Sequence, residues 1–245
     1  MNALVVGGNS GIGLSIVLNL LERTDVERVY VMDKNSLPKE YSTSDKVTEI
    51  ICDLSLSGYL AYLPKPTNIQ MLFITAGFGH LKLFQELSPE YIQSIFAVNS
   101  VAPLEIIRFY YDKIRSQTPF YCGVMVSIAG RLSSPFFSVY SATKAALSKA
   151  IEAINVELEE QGSQNRILEV SPGSLKGTGF TGDKSQPELT KDLAQEIIAR
   201  TEKHEILFIP QYEEVFKSVI ERYQKDAHLF GKDSYQYKLQ RINLK

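Results

Sequence analysis

Val5-Val6-Gly7-Gly8-Asn9-Ser10-Gly11-Ile12-Gly13-Leu14 decides the fold of this 245-residue chain. An apolar run ends at Val6, Gly7, Gly11 and Gly13 follow in Gly-x-x-x-Gly-x-Gly spacing, and Leu14, Val17, Leu18 and Leu21 then recur with helical period. The pattern reads as strand, glycine turn, helix. Glycine lets a backbone take positive φ and approach a ligand closely, while a helix N-terminus offers free N–H groups and a partial positive charge. A dinucleotide pyrophosphate suits such a turn, with Gly7, Asn9, Ser10, Gly11, Ile12 and Gly13 as the expected contacts. The spacing differs from the Gly-x-Gly-x-x-Gly of the commoner dinucleotide fingerprint, and a tight loop without chemistry is the alternative reading.

Outward from this turn, strand-like apolar runs occur at 3–6, 29–32, 47–51, 71–74, 123–127, 167–170 and 206–209, mostly separated by helical periodicity. Such alternation predicts βαβ units, hence an α/β fold: a Rossmann-type doubly wound parallel sheet of about seven strands with helices on both faces. Ligands of these sheets bind beyond the carboxyl ends of the strands, where Gly13, Asp33, Ala76, Ser127 and Pro172 fall. The length suits one domain covering 1–245. Residues 174–190, rich in Gly, Ser, Thr and Lys, are the expected mobile loop over a substrate, and 211–245 a C-terminal helix and tail.

Tyr140-Ser141-Ala142-Thr143-Lys144 carries the chemistry, because a helix sets the phenol and the ammonium one turn apart. A nearby cation stabilises phenolate and pulls an ordinary tyrosine pKa of ~10 toward neutrality, which suits general acid/base transfer. An amphipathic surface pair is the alternative.

Together, the glycine turn and the Tyr–Lys pair resemble the short-chain dehydrogenase/reductase family, and the likeness runs over about residues 1–180. Ser127 stands thirteen positions ahead of Tyr140, after Cys122-Gly123-Val124-Met125-Val126. Asn99 lies in Val98-Asn99-Ser100, Asp53 in Cys52-Asp53-Leu54, and Pro172-Gly173 follows the run 167–170. The resemblance implies Asn99, Ser127, Tyr140 and Lys144 as catalytic residues. Tyr140 would be the general acid/base, Lys144 would lower its pKa and hold the nicotinamide ribose, Ser127 would polarise the substrate oxygen, and Asn99 would hold a relay water. Asp53 and Leu54 would lie near the adenine, Ala76 and Gly77 beside the cofactor, and Pro172 and Gly173 against the nicotinamide. The implied activity is NAD(P)-dependent hydride transfer between nicotinamide and a carbonyl or secondary alcohol. A nucleotide-sensing or scaffolding protein of the same fold is the alternative, and an epimerase or dehydratase is another.

Asp33 ends the second run about twenty residues after the glycine turn, where a carboxylate accepts ribose hydroxyls and repels a 2′-phosphate. NAD is therefore favoured over NADP, with Lys34 the residue that would suit NADP. Departures from the family pattern are Thr75 where an Asn-Asn-Ala-Gly segment is common, Val6 ahead of the first glycine, and one added residue before Thr178. The tail, with Tyr235, Tyr237, Lys238 and Arg241, is expected to fold over the substrate, to meet a second subunit or to stay solvated. Phe78, Leu132, Phe136, Phe137 and Phe180 are expected around the pocket, favouring a small apolar substrate.

A net charge of −2 with scattered basic residues argues against nucleic acid or anionic membrane as partner. Neither the two cysteines, Cys52 and Cys122, nor His80, His204 and His228 have metal-ligand spacing. No apolar run approaches the ~18 residues of a membrane span, and a turn starting at Gly7 leaves no room for a removable targeting segment, so a soluble, cytoplasmic protein is expected. Ala142, Ala145, Ala146, Ala150 and Ala153 allow close helix packing, and a homodimer or homotetramer through the 99–115 and 140–161 helices is expected.

Overall fold

Alternation along the first strand shows how the chain builds three layers. In β1 (Asn2–Val6), Ala3 and Val5 face one side and Leu4 and Val6 the other, and all four are fully buried. A strand apolar on both faces belongs inside a parallel sheet covered by helices twice over. The computed structural model describes residues 1–178, 180 and 185–242, and has that arrangement.

Six more strands join β1: β2 (Arg28–Asp33), β3 (Val47–Ile51), β4 (Met71–Ile74), β5 (Tyr121–Met125), β6 (Ile167–Val170) and β7 (Leu207–Phe208). They form one sheet in the order β3-β2-β1-β4-β5-β6-β7, every pair parallel. Helices α1 (Gly11–Leu21) and α5 (Lys191–Glu202) cover the face of Ala3, Val5 and Phe73. Helices α3 (Ala102–Ile114) and α4 (Ser138–Glu160) cover the face of Leu4, Val6 and Leu72. The strand order reverses between β1 and β4, which opens a crevice at their carboxyl ends.

All seven expected strands occur, those at 47–51, 71–74 and 167–170 with the expected ends and the other four with shifted ones. The fifth stops at Met125, so Ser127 lies beyond it and opens a 3₁₀ turn, Ile128–Gly130. The seventh is a two-residue strand at the sheet edge, and the Ile206 carbonyl just before it accepts from the Glu169 N–H at 3.0 Å. Helix α2 (Pro89–Phe96) runs into α3 through a π turn, Ala97–Val101, that carries Asn99. Pro103 has no N–H for the Asn99 carbonyl four residues back, so regular α-helical bonding cannot pass this point.

The tail is helical. After a π turn at Tyr212–Phe216, helices α6 (Lys217–Lys225) and α7 (Ala227–Ile242) return across the molecule to the loop before α4. The Arg241 side chain and residues 179 and 181–184 of the expected substrate loop lie outside the described residues.

Candidate active site

Three chain segments meet at the carboxyl ends of β1, β4 and β5. The glycine turn comes first. Gly7 has φ +85°, and a Cβ there would stand 2.4 Å from the Ala76 nitrogen. A Cβ on Gly13 would stand 2.1 Å from the Gly7 carbonyl oxygen. Both positions need glycine because backbone lies against backbone. The Ser10 side chain caps no N–H of α1, while Ile12 and Leu14 bury the helix against the sheet. The cradle fits a dinucleotide phosphate. The described ends of the 174–190 segment lie over it, with the Gly11 N–H donating to Ser185 Oγ at 2.7 Å and the Thr178 carbonyl packed on Gly11.

Thr75 supplies a brace. Its hydroxyl donates to the carbonyls of Val6 and Gly7, at 2.9 and 3.0 Å, and thereby ties the end of β4 to the turn. A short hydroxyl here does a bracing job that the common amide would otherwise serve.

Asp33 ends β2 next to the turn and accepts from the backbone N–H groups of Asn9 and Asn35, at 3.2 and 3.3 Å. Burial pushes its pKa up, and the N–H donors of Asn9, Asn35 and Lys34 oppose that. Asp53 is exposed and its carboxylate is engaged by Ser55, whose N–H and hydroxyl hold its pKa down. The Leu54 side chain belongs to the core, leaving its backbone for any ligand contact.

Tyr140 and Lys144 lie in the first turns of α4, and Ser127 faces them from the end of β5. Ser127 Oγ accepts from the Ala129 N–H at 3.1 Å and donates to the Pro172 carbonyl at 3.5 Å, so it is pinned between the 3₁₀ turn and the Pro172-Gly173 corner. Burial pushes the Tyr140 pKa up, and a hydrogen bond with Ser127 works against the rise. Lys144 is 3 % exposed, donates to the Met125 carbonyl at 2.9 Å, and sits 6.0 Å from the Tyr140 ring centroid. Burial lowers its pKa to about 8. Desolvation by burial is the largest influence on both groups, and at Tyr140 Ser127 works against it.

Asn99 is fully buried. Its amide donates to the Phe78 carbonyl at 2.8 Å and to Thr143 Oγ1 at 3.2 Å, and its oxygen accepts from the Phe78 N–H at 3.0 Å. Thr143 in turn donates to the Tyr140 carbonyl at 2.7 Å, so Asn99 fastens the loop after β4 to the helical turn between Tyr140 and Lys144. Gly77 packs on both Asn99 and Lys144, and Gly130 lets the 3₁₀ turn approach the Lys144 backbone.

Aromatic rings enclose the phenol. Phe137 and Phe180 lie 5.5 and 5.2 Å from the Tyr140 ring, centroid to centroid. Two other expected pocket residues point elsewhere: Phe78 packs with His80 and Tyr91, and Phe136 stacks on Tyr235 of α7. A contributor without any local sequence signal is Phe216, whose ring lies on Gly173 so closely that a Cβ there would be 2.2 Å away. Thr143 and Gly79, where a Cβ would stand 2.6 Å from the Tyr140 ring, carry no signal in their residue types either.

The sequence profile described as short chain dehydrogenase matches residues 1–189. The chain belongs to the short-chain dehydrogenase family. Among curated members, it is 29% identical over 189 residues to the uncharacterized oxidoreductase TDA5 of Saccharomyces cerevisiae, covering 74% of this chain and 57% of the yeast protein. A solved 4-hydroxyisoleucine dehydrogenase complexed with NADH and succinate superposes with TM-score 0.69 at 21% identity, covering 84% of this chain and 96% of that one. A family member from Sphingobium yanoikuyae in complex with NADPH gives TM-score 0.71 at 17% identity, with 92% and 95% covered. These likenesses are of fold. Among the described residues of this short-chain dehydrogenase, no helix is long and apolar enough to cross a membrane.

Proposed function

We propose that this protein is an NAD(P)-dependent oxidoreductase that interconverts a carbonyl and a secondary alcohol on a small apolar substrate, with Tyr140 as general acid/base. One observation carries the reading: Tyr140 and a buried Lys144 stand one helical turn apart at the start of α4, with Ser127 beyond the end of β5 and a glycine cradle beside them. Gly7, Asn9, Ser10, Gly11, Ile12 and Gly13 would hold the pyrophosphate. Asp33 would hold the adenosine ribose, Asp53 and Leu54 would border the adenine, and Ala76, Gly77, Lys144, Pro172 and Gly173 would border the nicotinamide half. When bound, that cofactor supplies or accepts the hydride.

In reduction, the Tyr140 hydroxyl gives its proton to the carbonyl oxygen as the carbonyl carbon gains hydride. Burial keeps the phenol protonated and ready to donate. Ser127 donates to the same oxygen and stabilises its developing charge. Lys144, with a pKa of about 8, is poised to return a proton to Tyr140. Asn99 would act through its backbone: its side chain is committed to Phe78 and Thr143, and its carbonyl, to which Pro103 offers no N–H, would accept from a relay water. In oxidation, the phenolate takes the alcohol proton instead.

Tyr140→Phe tests this directly. Turnover of ketones should fall about 10²–10⁴-fold while NADH affinity, read by fluorescence titration, stays near that of the parent; parent-like turnover in that variant defeats the mechanism. Asp33 supports NAD as the preferred cofactor, and titration with NADH and NADPH side by side tests it: equal affinities would remove the preference. One continuous sheet from β3 to β7 supports reading 1–245 as one domain. Exposed Phe109 on α3 and Val156 on α4, with Val101 in the π turn just before α3, support a homodimer or homotetramer through those helices, readable as mass by light scattering, where a monomer would reject it. The free thiols of Cys52 and Cys122 support a reducing, cytoplasmic setting, which imaging of a tagged chain would overturn by showing it elsewhere.

A further inference from the structure

The corner between the 3₁₀ turn and α4, residues 133–137, is held in an unfavourable shape. Phe136 has φ +66°, a conformation that costs a residue other than glycine and persists only where the surroundings enforce it. Its side chain is buried and stacks on Tyr235 of α7 at 4.9 Å, and its carbonyl accepts from the Lys82 N–H at 3.0 Å. Lys238, one turn further along α7, donates to Ser134 Oγ at 2.5 Å and to the Pro135 carbonyl at 2.9 Å, and lies 5.3 Å from the Phe137 ring. Phe137 is the next residue after the strained one and packs on Tyr140. Among the described residues no carboxylate is paired with Lys238, and its burial lowers its pKa to about 8. A half-buried ammonium without a counter-ion is unfavourable unless its hydrogen bonds are well made. Here they are made to one corner of the active site.

We propose that α7 clamps the 133–137 corner, with Lys238 and Tyr235 as positioning residues that set where Phe137 stands and so determine which carbonyl substrates fit against Tyr140. The proposal rests on the reading of Tyr140 as the acid/base. It makes the C-terminal helix a specificity element that touches no reacting atom.

The test uses the full chain with Lys238→Met, Tyr235→Ala and the conservative Tyr235→Phe, together with Tyr140→Phe. Ketones of increasing bulk, with NADH, give kcat and KM; hydrogen exchange of peptides spanning 133–140 gives a readout that needs no turnover. Lys238→Met and Tyr235→Ala should each speed exchange at 133–137 about tenfold and raise KM for bulky ketones about tenfold, the worth of one charge-assisted hydrogen bond in the first and of one buried aromatic pair in the second. kcat should fall less than KM rises, NADH affinity should hold, and Tyr235→Phe should restore both readouts. Unchanged exchange in the corner overturns the clamp, whether or not a ketone is turned over. So does a uniform loss of kcat, NADH affinity and melting temperature, which would mark α7 as general support only. Parent-like turnover by Tyr140→Phe defeats the acid/base reading by itself, because the exchange result does not depend on it.

Discussion

A methyl group at Gly13 would stand 2.1 Å from the Gly7 carbonyl, whereas at Gly231 in α7 the nearest atom is Ser133 Oγ at 3.7 Å. The two glycines belong to opposite walls of one site. The glycine-turn wall is backbone against backbone, where nothing can rotate aside. The C-terminal wall reaches the site through side chains, Tyr235 on Phe136, Lys238 beside Phe137 and Phe216 on the Gly173 backbone, and rotamers can adjust. Contact between backbones restricts residue type at fixed spacings, so the first wall can be read as a motif. Contact between distant side chains restricts only shape.

The largest effect that would break this comparison is at Gly13. Gly13→Ala should lose about 3 kcal/mol or more of stability through overpacking, and binding of either nicotinamide cofactor should fall by at least about two orders of magnitude, measured by denaturant unfolding and fluorescence titration. Near-normal stability and binding would mean the turn has slack. Thr75→Val sharpens the same side: removing the hydroxyl that braces the Val6 and Gly7 carbonyls should cost about 1–2 kcal/mol and weaken cofactor binding less than Gly13→Ala does. On the C-terminal wall the sign reverses. Gly231→Ala sits inside a helix with ordinary contacts, so unfolding should show a gain of about 0.5–1 kcal/mol.

The smallest expected effect concerns two lysines, the buried Lys144 and the half-buried Lys238. Lys144 and Lys238 both have folded pKa values of about 8, below the unfolded 10.5. Between those values the unfolded chain binds more protons, so stability should rise with pH across that window and be flat below it. Melting temperatures of Lys238→Met should climb less between pH 8 and 10 than those of the parent. An identical climb would place Lys238 in water rather than against the corner.

Several residues show how far local sequence reaches. Val5 to Gly13 was legible as strand, turn and helix because each constraint acts within one supersecondary unit. Asn99, Ser127, Tyr140 and Lys144 were legible as a set only through their spacing, and the fold brings all four to one place. Phe78 and Phe136 were expected in the pocket, yet Phe78 packs on Tyr91 and Phe136 on Tyr235, because composition near a loop does not say which way a ring turns. The pKa ordering at Tyr140 was also out of reach: a pairwise view sees the nearby ammonium, while the site's dominant influence is burial by the whole surround.

By itself, then, the sequence determined the doubly wound parallel sheet, the glycine cradle beneath α1 and the identity of the polar groups around Tyr140, since periodicity, turn stereochemistry and fixed spacing act over a few residues or between regular elements. Tertiary structure alone decided the helical course of the C-terminal tail, the strained corner at Phe136, the brace at Thr75 and the aromatic wall. Those depend on side chains from far along the chain competing for one volume, and close packing has no local code.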